Sequence, residues 1–149
     1  MSISQTATTS FKVELLQAVH NFGPTSPNTF KVALYTGAAN IGPTTTVYSS
    51  TNEVPNGNGY TTGGNTLTIS TSPTSGNNVS NVPTEYISFN NTSWTNATFT
   101  CRGALIYNAT QGNKSVAVLD FGSDKTVSND TFQIIFPTPD ANSAIVRIS

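Results

Sequence analysis

Charge is what this sequence has least of: only 9% of its 149 residues are Asp, Glu, Lys or Arg, against about 25% in an ordinary domain. Six Lys plus Arg against seven Asp plus Glu leave a net charge of -1, with no run of like charge anywhere. Four lysines and two arginines spread over the whole chain cannot supply the basic footprint that displaces phosphate counterions, so nucleic acid is not an expected partner. The single cysteine, Cys101, excludes an intramolecular disulfide framework and any zinc site built from several thiolates. No stretch approaches the roughly 18 consecutive apolar residues of a membrane span, so no membrane partner is expected. The first ten residues, MSISQTATTS, hold no cation and no apolar run, so they do not read as a secretory signal, and synthesis in the cytoplasm is expected.

What the chain has in their place is 25 Thr, 17 Ser and 17 Asn, about 40% of all residues in three small, uncharged, hydrogen-bonding types. With 36% hydrophobic residues, including eight Phe, five Tyr and one Trp, it is not a disordered polar tract. At this length one domain buries roughly 68–70% of the surface its unfolded chain exposes.

One segment has a helical period. Phe11, Leu15, Val19 and Phe22 recur at steps of four and three, with Ser10 as N-cap, Glu14 near the positive end of the dipole and Gly23-Pro24 as a stop, which predicts a helix over 11–22. The rest reads as strand. Period-two alternation predicts strands over 29–36, 46–50, 66–70, 85–90, 97–107, 115–121, 131–136 and 143–148, the first with one buried face formed by Phe30, Val32 and Leu34. Thr fits the solvent side of a pleated sheet, which gives the abundant threonines a place. Gly103 suggests a bulge or close approach, and Pro55-Asn56-Gly57-Asn58-Gly59 a tight reversal. Residues 71–84 show no pattern and read as an exposed loop or as a place where a partner docks. The fold class expected is mainly β: a single antiparallel β-sandwich or jelly-roll-like domain over 11–149 with one N-terminal helix, preceded by a flexible arm over 1–10.

No residue constellation carries an enzyme, a cofactor or a metal. His20, the one histidine, is expected in the last turn of the helix, where the dipole favours an imidazolium. A Ser-His-Asp set has no nucleophile elbow to support it. Cys101 shares a row with Phe99 and reads as a buried thiol, with Arg102 on the opposite face. Asp120, Asp124 and Asp130 cluster near strand ends; carboxylates there form turns or, less in keeping with the spacing, hold calcium. Trp94 reads as core or rim packing, with sugar stacking as the other option. The candidate partner contacts are Ile3 in the arm, Trp94, Arg102 and Arg147.

Several phrases together resemble small virion proteins of tailed bacteriophages, including cyanophage types. They are FKVELLQAVHNF followed by TFKVALYT, then NEVPNGNGYTTGG, CRGALIYNAT and VAVLDFGSDKTVSNDTFQIIFP, spread over 11–148. The resemblance implies a non-enzymatic part of the particle, located in the virion. The form expected is a capsid cement or decoration protein that binds the major capsid protein and copies of itself, with a trimer favoured. The alternative it leaves is a tail, baseplate or fibre-tip module that recognises host-surface glycans through Trp94 and loop Asn and Tyr residues.

Overall fold

Two long strands dominate the computed structural model, which describes residues 2–149. They are β6 (Thr92–Asn108) and β7 (Lys114–Ile134), paired antiparallel from Thr92 opposite Ile134 to Asn108 opposite Lys114. The other elements are β1 (Thr6–Ala7), α1 (Thr9–Leu16), β2 (Phe30–Tyr35), β3 (Asn65–Leu67), β4 (Ile69–Asn77), β5 (Pro83–Phe89) and β8 (Val146–Ile148). The strands form a five-stranded sheet in the order β1-β7-β6-β2-β3 and a three-stranded sheet in the order β4-β5-β8, all antiparallel. The fold is thus mainly β, two sheets and one short helix consistent with a β-sandwich, with no closed barrel.

The main core lies between the sheets. Phe30, Val32 and Leu34 of β2, Trp94, Ala97, Cys101, Ala104 and Ile106 of β6, Ile87 and Phe89 of β5 and Val146 of β8 are all buried there, with Phe11 from α1. The expected buried face of β2, Phe30, Val32 and Leu34, forms along the whole strand, and on the opposite face Ala33 and Tyr35 are buried as well. They belong to a second, smaller core with Leu105, Tyr107 and Val118, roofed by Ala39, Ile41 and Tyr48 from the segment that joins β2 to β3. That excursion covers what would otherwise be the solvent face of the larger sheet.

α1 is shorter and earlier than the apolar period implies. Thr8, not Ser10, is the N-cap: its Oγ1 accepts from Phe11 N at 3.4 Å. The same hydroxyl is fully buried and 2.9 Å from Ser115 Oγ. The helix stops at Leu16, and Ala18 takes a left-handed conformation with φ 56. The stop has a physical reason. Glu14 and His20 are six residues apart, about 240° around a helix, yet their side chains meet at 2.7 Å. Only a broken chain brings them together, so His20 lies beyond the helix and its expected dipole contact does not form; Glu14 sits near the C-terminal end of α1, not the N-terminal one.

Several strand boundaries differ: β6 starts at Thr92, five residues before the expected 97, and β8 is confined to Val146–Ile148 within the expected 143–148. The expected loop over 71–84 is a hairpin of β4 and β5, turned at Asn78 to Val82, where Asn81 has φ 58. The expected strands at 115–121 and 131–136 are one continuous strand, β7. The run at 46–50 contributes a single bridge, Val47 to Lys114. The run at 66–70 divides between the two sheets at Thr68, whose carbonyl accepts from Asn90 N. The reversal at 57–60 forms as expected, with reciprocal Gly57 and Tyr60 backbone bonds and left-handed Asn58 and Gly59.

Gly103 sits at a register shift of the β6–β7 ladder, and a Cβ there would lie 2.6 Å from Leu119 O and 2.8 Å from Ile3 Cγ2. The close approach is that of the N-terminal segment. Residues 1–10, expected as a loose arm, are from Ser2 onward laid on the body: Ser4 N donates to Ile41 O, Ile41 N to Ser2 O and Thr8 N to Val116 O, each at 3.0 Å, and β1 pairs with Ala117 and Val118. Backbone hydrogen bonds and the packing of Ile3 tie this terminus down.

Candidate functional site

Two buried polar nodes stand out from the apolar interior. At the first, Asn108 Oδ1 accepts from Thr110 N and Gln111 N, which orients the amide so that Nδ2 donates to Asn28 Oδ1 at 2.9 Å and to His20 Nδ1 at 3.0 Å. His20 Nε2 therefore carries the proton that bonds Glu14 Oε2 at 2.7 Å, and Lys114 Nζ reaches Glu14 Oε1 at 3.2 Å. Phe11, Phe22 and Phe30 pack around the imidazole. Both ring nitrogens are committed to structural partners and no hydroxyl is bonded to either. The node joins the end of α1, the loop before β2 and the β6–β7 turn.

The second node gathers around Glu53, 7% exposed, which the sequence offers only as one acid among seven. Its Oε1 accepts from Tyr60 OH at 2.6 Å and from Gly63 N at 2.7 Å, and its Oε2 from Tyr48 OH at 2.7 Å. Tyr107 OH donates to Gly63 O at 2.7 Å and Tyr35 OH to Ser49 O at 2.6 Å. Burial, with the Glu53 carboxylate next, pushes the phenols of Tyr35, Tyr48, Tyr60 and Tyr107 up, Tyr107 to about 12. A carboxylate ringed by neutral phenols and an amide is a clamp: it fastens the long connection between β2 and β3 over the second core.

The four candidate contact residues do not converge. Ile3 bridges to Ile41 and packs on the smaller core. Trp94 is 4% exposed, with Tyr60 and Phe132 rings 6.1 and 5.9 Å away and its indole N–H without a partner, so it offers no face to a sugar. Arg102 lies on the exposed face of β6, as expected from the alternation, with Nη1 3.5 Å from Asp124 Oδ1 and Nη2 donating to Gly122 O at 3.3 Å. Arg147 is exposed on β8, the edge strand of the smaller sheet.

Cys101 is buried, and burial, with Asp124 adding to it, pushes its thiol up to about 12, which leaves it protonated and unreactive near neutral pH. The acids expected near strand ends lie within the continuous β7 and make local bonds: Asp120 Oδ1 accepts from Gly122 N and Asp130 Oδ1 from Thr131 N, while Asp124 faces Arg102. Among the described residues no three His, Cys, Asp or Glu side chains gather as metal ligands, and no helix is long and apolar enough to cross a membrane. Comparison of the chain with family models, curated proteins and solved structures finds no match.

Proposed function

We propose that this chain is a non-enzymatic structural protein of a tailed-bacteriophage particle, a cement or decoration protein that binds the major capsid protein lattice. What supports the reading, beside the resemblance in the sequence, is the distal half of β7. From Gly122 to Gln133 every residue except Val127 and Phe132 is exposed, and only Asp124, Lys125 and Asp130 are charged. β1 covers only Ala117 and Val118 on that edge. A long rim of Ser, Thr and Asn with open backbone groups loses little charge solvation when a neighbour covers it. Such a rim suits a subunit that works packed against a lattice and against copies of itself, in a trimer or another closed ring.

The tail or fibre-tip alternative is left with its loop Asn and Tyr residues, since Trp94 is walled into the core. Reconstitution tests the capsid reading. Particles from a genome that encodes the chain, made with its gene deleted, are expected to release their contents at a lower temperature than complete particles, and purified protein added back is expected to restore them. Deleted particles as heat-resistant as complete ones would sink the cement role.

A further inference from the structure

The two sheets leave an open side where the edge strand β8 faces α1. A groove of about 560 Å³ runs there, and a second hollow of about 320 Å³ continues it inward along Phe11, Leu15, Val146 and Ile148, which line both. Its floor is apolar, and apolar side chains stand on its rim beside the charged ones: Leu16 is 92% exposed and Ile148 54%. β8 hydrogen-bonds only to β5, so the far side of its backbone is unpaired. The charged side chains lining the outer groove are Lys12 and Arg147, both cationic and neither in an ion pair among the described residues. The chain has only six cationic Lys and Arg side chains, and two of them flank this one groove. The one acid, Glu85, lies in the inner hollow, where His20 is already bonded to Glu14.

We propose that this groove is a docking site for an extended segment of a partner protein in which apolar side chains alternate with carboxylates, adding to β8 as a fourth strand of the smaller sheet. Strand addition supplies backbone bonds to an edge that has none, alternate side chains enter the apolar floor, and those between them face solvent and the cationic rim. Charge selects the occupant. A second copy of the chain would bring its own Lys12 and Arg147 against this pair, whereas carboxylates meet it favourably.

The test uses the full chain and three labelled synthetic decapeptides: alternating Val and Glu, alternating Val and Lys, and the Val-Glu peptide with a central Pro. The Val-Glu peptide is expected to bind and to shift the amide resonances of Leu15, Leu16, Val146 and Ile148. Its affinity should fall roughly tenfold or more in a Lys12→Glu, Arg147→Glu double variant, whose exposed positions leave the fold intact by circular dichroism. The Pro peptide, unable to complete a strand, should bind far more weakly. Equal binding of the Glu and Lys peptides, shifts confined to other residues, or no binding by any peptide would overturn the proposal. So would a dimer in sedimentation that Ile148→Asp dissociates, since the groove would then belong to a second copy.

Discussion

At the scale of single residues, the interior depends on a few side chains that hold polar groups where the core would otherwise exclude them. Glu53 makes three hydrogen bonds while 7% exposed, and four tyrosines are held neutral around it. Tyrosines of an unfolded chain ionise near pH 10, so the fold keeps its phenolic protons to a higher pH than the unfolded state does. Stability from this source is complete below about pH 10 and is lost as pH climbs from there toward the folded-state values, Tyr107's being about 12. Phenolate absorbance during an alkaline titration is therefore expected to rise together with loss of β-sheet circular dichroism. Glu53→Gln, which removes the carboxylate charge and leaves an amide to bond, should bring the phenolate onset to lower pH; an unchanged onset would count against the clamp.

Trp94 gives a sharper contrast at the same scale. Trp94→Ala should cost about 3–5 kcal/mol in urea denaturation, because a large ring packed on Tyr60 and Phe132 leaves a cavity. Trp94→Phe should cost far less, since it keeps most of the ring and deletes a buried N–H that has no partner. A glycan-stacking role would show the reverse: binding lost with stability kept.

At the scale of elements, the strands were legible because their signal is local, and the errors fall where distant contacts decide. The alternation over 29–36 located β2, and Asn58-Gly59 located a reversal, since each depends on neighbours in sequence. The extent of the helix was not legible. Val19 and Phe22 fit its period, but the Glu14–His20 bond, with Asn108 on the other nitrogen, breaks the chain after Leu16. Nor could the 71–84 segment show itself as strand, because Ser, Thr and Asn alternate with little that is apolar, and pairing with β5 supplies what periodicity does not. Of the candidate contacts, alternation placed Arg102 on an outer face. Ile3 could not be placed, because its partners Ile41 and Gly103 lie far along the chain.

The N-terminal segment makes a prediction at this scale. The amides of Ser4 and Thr8 are bonded to Ile41 O and Val116 O, so in the free protein they should exchange slowly, much like amides of β2. Exchange as fast as an unstructured peptide's would restore the loose arm. Gly103→Ala should also destabilise, by about 1–3 kcal/mol, because the added methyl meets Leu119 O and Ile3. An unchanged urea midpoint would mean that β6 and the N-terminal segment can part at no cost.

At the scale of the whole molecule, the shortage of charge acquires a location. Most Thr, Ser and Asn occupy the outer rows and turns of a two-sheet fold, while His20, Glu14, Glu53 and Cys101 are turned inward. Facing outward are the free distal edge of β7 and the short edge of β8, where Arg147 and the Lys12 of α1 flank the groove. That distribution fits the proposed role of a subunit covered by its neighbours in a particle. The number of copies per particle tests this most directly, measured by quantitative mass spectrometry of purified particles against their major capsid protein. A capsid cement protein should be present in hundreds of copies, in fixed proportion to the lattice; a few copies to a few dozen, or none, would contradict that account.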